Sequence, residues 1–102
     1  METDVDLQPL DEDEIREELI DLPGWEYEDD KISKQFEFKS FLKGVELVGD
    51  LAPFCDKVDH HPDILIQYKK ITFALSRFSV GNKVTERDFT VAKKIEELYS
   101  RI

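Results

Sequence analysis

The stretch from Ser40 to about Val58 constrains this chain most, because it reads as one long helix with apolar residues on two sides. Phe41, Val45, Val48, Ala52 and Cys55 form one stripe, and Leu47, Leu51, Phe54 and Val58 form a second. A helix that is apolar on two sides must be covered on two sides. In a domain of 102 residues a sheet covers one stripe, which leaves the other for a partner subunit. Ser40 is placed to cap the helix, while Pro53 removes one of its hydrogen bonds and predicts a kink near Gly49.

Hairpin patterns flank this helix. Upstream, Trp25 and Tyr27 alternate with acidic residues, Asp29-Asp30 turns the chain, and Ile32 to Phe38 follows with Phe36 and Phe38 on one face. Downstream, Ile64, Ile66 and Tyr68 alternate, Lys69-Lys70 is a turn candidate, and Ile71, Phe73 and Leu75 alternate again. The opposite face of that last strand, Thr72, Ala74 and Ser76, stays small until Phe78. Short helices bracket the whole. Asp11 and Glu14 have the spacing of a capping box ahead of Ile15, Leu19 and Leu22, and Pro23-Gly24 stops that helix. Thr85 opens the last helix, which presents Phe89, Ala92, Ile95, Leu98 or Tyr99, and Ile102 at helical spacing. The order helix, hairpin, helix, hairpin, helix predicts an α+β fold: a four-stranded antiparallel sheet with three helices on one face. Residues 1–9 are acidic and end in Pro9, an expected flexible arm ahead of a single domain at 10–102.

Charge narrows the function classes. Asp and Glu outnumber Lys and Arg by 24 to 14, and a net charge of −10 repels phosphates, so nucleic acid and anionic membrane surfaces are not expected partners. The N-terminus has neither the basic nor the apolar region of a signal peptide, and no apolar run approaches a membrane span. Cys55 is the only cysteine; it excludes an internal disulfide and fits a reducing compartment, so a cytoplasmic protein is expected.

The residues that could carry chemistry gather in Asp56-Lys57-Val58-Asp59-His60-His61-Pro62, at a helix end just before a strand. Asp56 and His60 are four apart, so a persisting helix places them on one face, where the carboxylate would orient the imidazole and fix its tautomer. Two neighbouring histidines, one charged and one neutral, can act as an acid and base pair near neutral pH. A histidine at a helix C-terminus also caps it and meets the favourable end of the dipole, which spacing alone makes the stronger reading. Adjacent histidines diverge, and no further His or suitable Cys completes a first shell, so no metal is expected.

Asp56-x-x-x-His60-His61-Pro62, then Tyr68, then Asp88 within Thr85-Glu86-Arg87-Asp88, resembles the signature of the pterin-4a-carbinolamine dehydratase family. Gly24-Trp25 and the run from Lys34 to Phe41 match the family's opening hairpin and helix start, so the resemblance spans roughly residues 10–102. It implies assembly as a homodimer or homotetramer. It also implies a hydro-lyase that removes water from a 4a-hydroxytetrahydropterin to give the quinonoid dihydropterin in tetrahydropterin recycling. On that resemblance His60 and His61 supply acid and base, Asp56 holds one of them, and Asp59, Pro62, Phe78 and Asp88 contribute to binding the reduced pterin. No metal or other cofactor is called for.

Two positions depart from the family's pattern. Phe78 stands where the family has a third histidine, and Ile64 stands where an aromatic is usual. Phenylalanine stacks on a flat ring but exchanges no proton, and loss of an acid–base group costs about 10²–10⁴-fold in that step. Reduced activity is therefore expected, and two other readings stay open: an interaction module on the same fold, and an enzyme for a different pterin-like ligand. Asp88 is also three residues after Thr85, the spacing of a plain capping box.

Overall fold

Helix α1 (Glu12–Leu19) opens on its capping box: the Glu14 N–H donates to Asp11 Oδ1 at 2.8 Å and the Asp11 N–H to Glu14 Oε1 at 3.0 Å. The computed structural model describes residues 8–77, 81 and 83–102. The chain leaves α1 through a turn at Gly24, whose φ of +89° is cheap only for glycine, and Leu22 enters the core from that turn.

Strands β1 (Glu26–Glu28) and β2 (Lys31–Glu37) form the first hairpin across Asp29-Asp30, both left-handed as a two-residue hairpin turn requires. Helix α2 (Phe41–Val58) follows the Ser40 cap, whose hydroxyl accepts from the Lys43 N–H at 3.1 Å. Strands β3 (Asp63–Gln67) and β4 (Lys70–Leu75) form the second hairpin, turning at Tyr68 and Lys69, and helix α3 (Glu86–Tyr99) closes the fold. The turn lies one residue earlier than the lysine pair suggests, so Tyr68 sits in a left-handed turn and is exposed. All pairings are antiparallel, in the order β1-β2-β4-β3, with Ile32 opposite Leu75 and Phe36 opposite Ile71. The architecture is α+β with a four-stranded antiparallel sheet and, among the described residues, three helices.

One sheet face carries the core. Ile32, Phe36, Ile71, Phe73 and Leu75 are buried with Ile15 of α1, Leu47, Leu51 and Cys55 of α2, and Phe89, Ala92 and Ile95 of α3. Burying a side chain of this size contributes about 1.5–3 kcal/mol, so the shared cluster is what joins sheet and helices. Trp25 packs edge-on against Phe36 at 6.1 Å, and its indole N–H donates to Glu96 Oε2 at 2.8 Å. Lys34 reaches the same oxygen at 2.7 Å, so one carboxylate ties the first hairpin to α3. Pro9 bridges to Thr85, and the Leu10 N–H donates to Val84 O at 2.8 Å, which anchors the start of the described chain beside the last helix.

The two stripes of α2 divide differently from the sequence pattern. Gly44, Leu47, Leu51 and Cys55 form the buried face, with Val48, Phe54 and Val58 at its margins, while Phe41, Leu42 and Val45 are exposed. Leu47 and Leu51 are therefore core residues. Pro53 lies inside α2 on its exposed side, and the helix continues past it as one element. Ile102 falls beyond the end of α3 and is exposed. No helix among the described residues is long and apolar enough to cross a membrane.

Candidate active site

The C-terminal end of α2 shapes the site. Asp59 adopts φ 53°, ψ 48°, the left-handed cap that ends helices, and its N–H returns to the carbonyls of Cys55 and Asp56. The His60 N–H also bonds Cys55 O, at 3.1 Å. This reversal sends consecutive histidines to opposite environments. His60 turns inward, its side chain 6% exposed, whereas His61 stays at the surface at 57%.

The carboxylate partners follow from that reversal and differ from the helical expectation. Asp56 does not meet His60; its Oδ1 lies 2.8 Å from His61 Nε2. A helix that continued to residue 60 would have brought Asp56 and His60 together, but the left-handed cap at Asp59 breaks that register. His60 Nε2 instead pairs with Asp88 Oδ1, deep in the fold. The other oxygen of Asp88 accepts from the Thr85 N–H at 2.7 Å and from the Thr85 hydroxyl at 3.3 Å. Asp88 thus closes the reciprocal arm of a capping box at α3 and binds a histidine from α2 with the same carboxylate. Buried, with both oxygens engaged inside the protein, it reaches a site only through His60.

Two arginines complete the surroundings. Arg77, just after β4, donates from Nη1 to Asp59 O at 3.1 Å, and the same nitrogen lies 3.4 Å from His60 Nδ1. The buried Arg87 donates to Val58 O at 3.0 Å, satisfying a carbonyl of the last turn of α2. The partner of neither arginine is visible in the sequence, because each acts on a residue far away along the chain. Pro62 is half-buried next to the pair and Asp59 is exposed. Phe78, the expected pterin-stacking position, lies outside the described residues. Among the described residues no three His, Cys, Asp or Glu side chains converge as a metal-ligand set.

An exposed imidazole paired with a carboxylate is equipped to give and take protons at a small molecule, with a buried polar network holding the backbone beneath it. The family model for pterin 4 alpha carbinolamine dehydratase matches residues 8–98 of this sequence. The chain belongs to that family. A Sulfolobus acidocaldarius protein, provisionally named a pterin-4-alpha-carbinolamine dehydratase, is 45% identical over 89 residues, covering 87% of this chain and 97% of its relative. A Streptomyces avermitilis protein with the same provisional name is 34% identical over 92 residues, 90% of this chain and 91% of the other. Among solved structures, a transcriptional coactivator/pterin dehydratase from Brucella melitensis superposes with a TM-score of 0.85 at 32% identity, covering 89% of this chain and 98% of that one. A pterin dehydratase-like protein identified as a RuBisCO assembly factor in the alpha-carboxysome shares the fold, with a TM-score of 0.58 at 19% identity over 72% of this chain and 84% of that one.

Proposed function

We propose that this pterin dehydratase family member removes water from a 4a-hydroxytetrahydropterin in the cytoplasm, releasing quinonoid dihydropterin for reduction back to the tetrahydropterin. The observation that carries this reading is the exposed His61–Asp56 pair, 2.8 Å apart, beside the inward His60–Asp88 pair. As imidazolium, His61 delivers a proton to the departing 4a-hydroxyl, which leaves as water. The neutral imidazole so formed accepts the N5 proton, and the histidine returns to its starting state. Asp56 orients the ring throughout. His60 braces the backbone, while Asp59, Pro62 and Phe78 take the pterin.

The test compares dehydration above the spontaneous background for the wild type, His61→Ala and Phe78→His. Turnover in the wild type that vanishes in His61→Ala supports the assignment. Silence in the wild type with turnover in Phe78→His would mean that natural catalysis has been given up at position 78. Silence in all three sinks the dehydratase reading.

Self-association is part of the same proposal, and two exposed apolar surfaces favour it. The edge strand β3 presents Ile64, Leu65 and Ile66, and α2 presents Phe41, Leu42 and Val45. Leu65→Glu and Val45→Glu are expected to reduce the mass seen by analytical ultracentrifugation. A wild type that sediments as a monomer removes this part of the proposal. The exposed α2 face also suits an interaction module, and the Brucella protein's description as a coactivator makes that the second reading.

A further inference from the structure

Four non-glycine residues among those described turn left-handed. Asp29, Asp30 and Tyr68 do so in hairpin turns, whereas Asp59 does so between the end of α2 and the two histidines. The exposed carboxylate of Asp59 makes no hydrogen bond or ion pair among the described residues, so this residue acts on the fold through its backbone. Its N–H turns back to the carbonyls of Cys55 and Asp56, and its own carbonyl accepts from Arg77 Nη1 at 3.1 Å. One residue earlier, Val58 O accepts from the buried Arg87 at 3.0 Å; one residue later, the His60 ring meets the buried Asp88. Glycine, and to a lesser degree aspartate and asparagine, visit the left-handed region at little cost, because other side chains crowd the following carbonyl. A right-handed residue 59 would continue the helix and set Asp56 beside position 60 instead of His61.

We propose that Asp59 is a positioning residue that works through its left-handed backbone: the reversal sends His60 to Asp88 and His61 to Asp56, so that each imidazole of the site is held by its own carboxylate. The Asp59 side chain stays available to the pterin, which separates two roles, the backbone acting on kcat and the carboxylate on KM. The reversal stands on geometry; its effect on turnover rests on the dehydratase reading.

The test uses the ¹³C,¹⁵N-labelled full chain. Residue 59 should give the strong intraresidue amide–Hα nuclear Overhauser effect of a positive φ, and the His61 ring should give one to the Asp56 methylene. Asp59→Gly and Asp59→Asn, which both tolerate the left-handed state, should keep the His61–Asp56 contact, and their loss in dehydration should fall on KM. Asp59→Ala, which disfavours that state, should weaken the contact and lower kcat about 10-fold, as Asp56→Asn does. Because both changes act on one pair, Asp56→Asn combined with Asp59→Ala should be little worse than either alone, whereas a merely structural role at residue 59 would add its loss to the other. An Asp59→Ala chain with contact and kcat intact overturns the proposal. So does an Asp59→Gly chain that loses the contact, since the carboxylate would then be what aims His61; this arm decides even if Asp59→Ala fails to fold. Contacts that respond as expected in a chain that dehydrates no pterin retain the reversal and remove the dehydratase reading, whereas turnover that survives loss of the contact does the reverse.

Discussion

His61 Nε2 and Asp56 Oδ1 lie 2.8 Å apart although the residues are five apart in sequence, a separation that a straight helix does not bring together. The contact exists because Asp59 turns left-handed and swings His61 back over the last turn of α2. Both side chains are well exposed, 57% and 80%, so their attraction does little for stability, and its value lies in aiming the imidazole. Asp56→Asn should therefore lower kcat for dehydration by about 10-fold. Its urea midpoint should move by less than about 0.5 kcal/mol equivalent. Steady-state kinetics beside a denaturation curve check this, and an undiminished kcat would remove Asp56 from the site.

Asp88 contrasts with Asp56 at every point. Fully buried, it accepts from His60, the Thr85 N–H and the Thr85 hydroxyl. Asp88→Asn places an amide N–H₂ against one of those donors, leaving a buried polar group without a partner. The expected cost is about 3 kcal/mol, read as a lower urea midpoint with unchanged slope. A shift below about 1 kcal/mol would show that the network tolerates an amide and that the charge is unimportant.

The glycines of α2 should respond oppositely to alanine. A Cβ on Gly49 meets nothing within 4 Å, so Gly49→Ala should stabilise by about 0.5–1 kcal/mol through helix propensity alone. A Cβ on Gly44 would come within 2.8 Å of Ile71 Cδ1 and 3.4 Å of Phe38 Cδ1, forcing a buried isoleucine on β4 to shift. That strain of about 1–3 kcal/mol offsets or exceeds the propensity gain, so Gly44→Ala should melt below Gly49→Ala. Thermal melts of the two variants, side by side, decide it.

Burial pushes the Cys55 thiol up to about 11, with the Asp56 charge adding to the effect. Unfolding returns it to its ordinary value of 9.0, so the protonated thiol's contribution to stability is complete below pH 9 and is lost as pH rises toward 11. At neutral pH only on the order of 10⁻⁴ of the folded protein carries the thiolate, the reactive form. Alkylation by iodoacetamide should accordingly be slow in native buffer and accelerate with urea. Rapid stoichiometric labelling of the folded chain would contradict the burial of this residue.

Much of the architecture was legible from neighbours in sequence. The Asp11–Glu14 capping box, the Asp29-Asp30 turn, the Ser40 cap and the alternation of Ile71, Phe73 and Leu75 are all short-range signals, and each appears where its spacing predicts. They are readable because their partners lie within about four residues, where backbone geometry alone sets the distance. The division of α2 was less legible. Apolar residues mark two stripes but not which one the sheet takes, and the close approach of Gly44 to Ile71 put Leu47 and Leu51 inside and left Phe41 and Val45 out.

The site divides along the same line. By itself the sequence determined that Asp56, His60 and His61 gather at a helix end ahead of a strand. Which histidine faces water, and which carboxylate each one meets, was decided only in three dimensions. Asp88 lies 28 residues from His60 and Arg77 lies 17 away, and both arrive there because β4 and α3 pack beside the end of α2. Helical spacing pointed Asp56 at His60, yet one left-handed residue, Asp59, turned it to His61 instead. A single backbone reversal costs little locally, and the buried bonds of Asp88 with the Arg77 bond to Asp59 O, made only once the elements have packed, are what make it the stable arrangement.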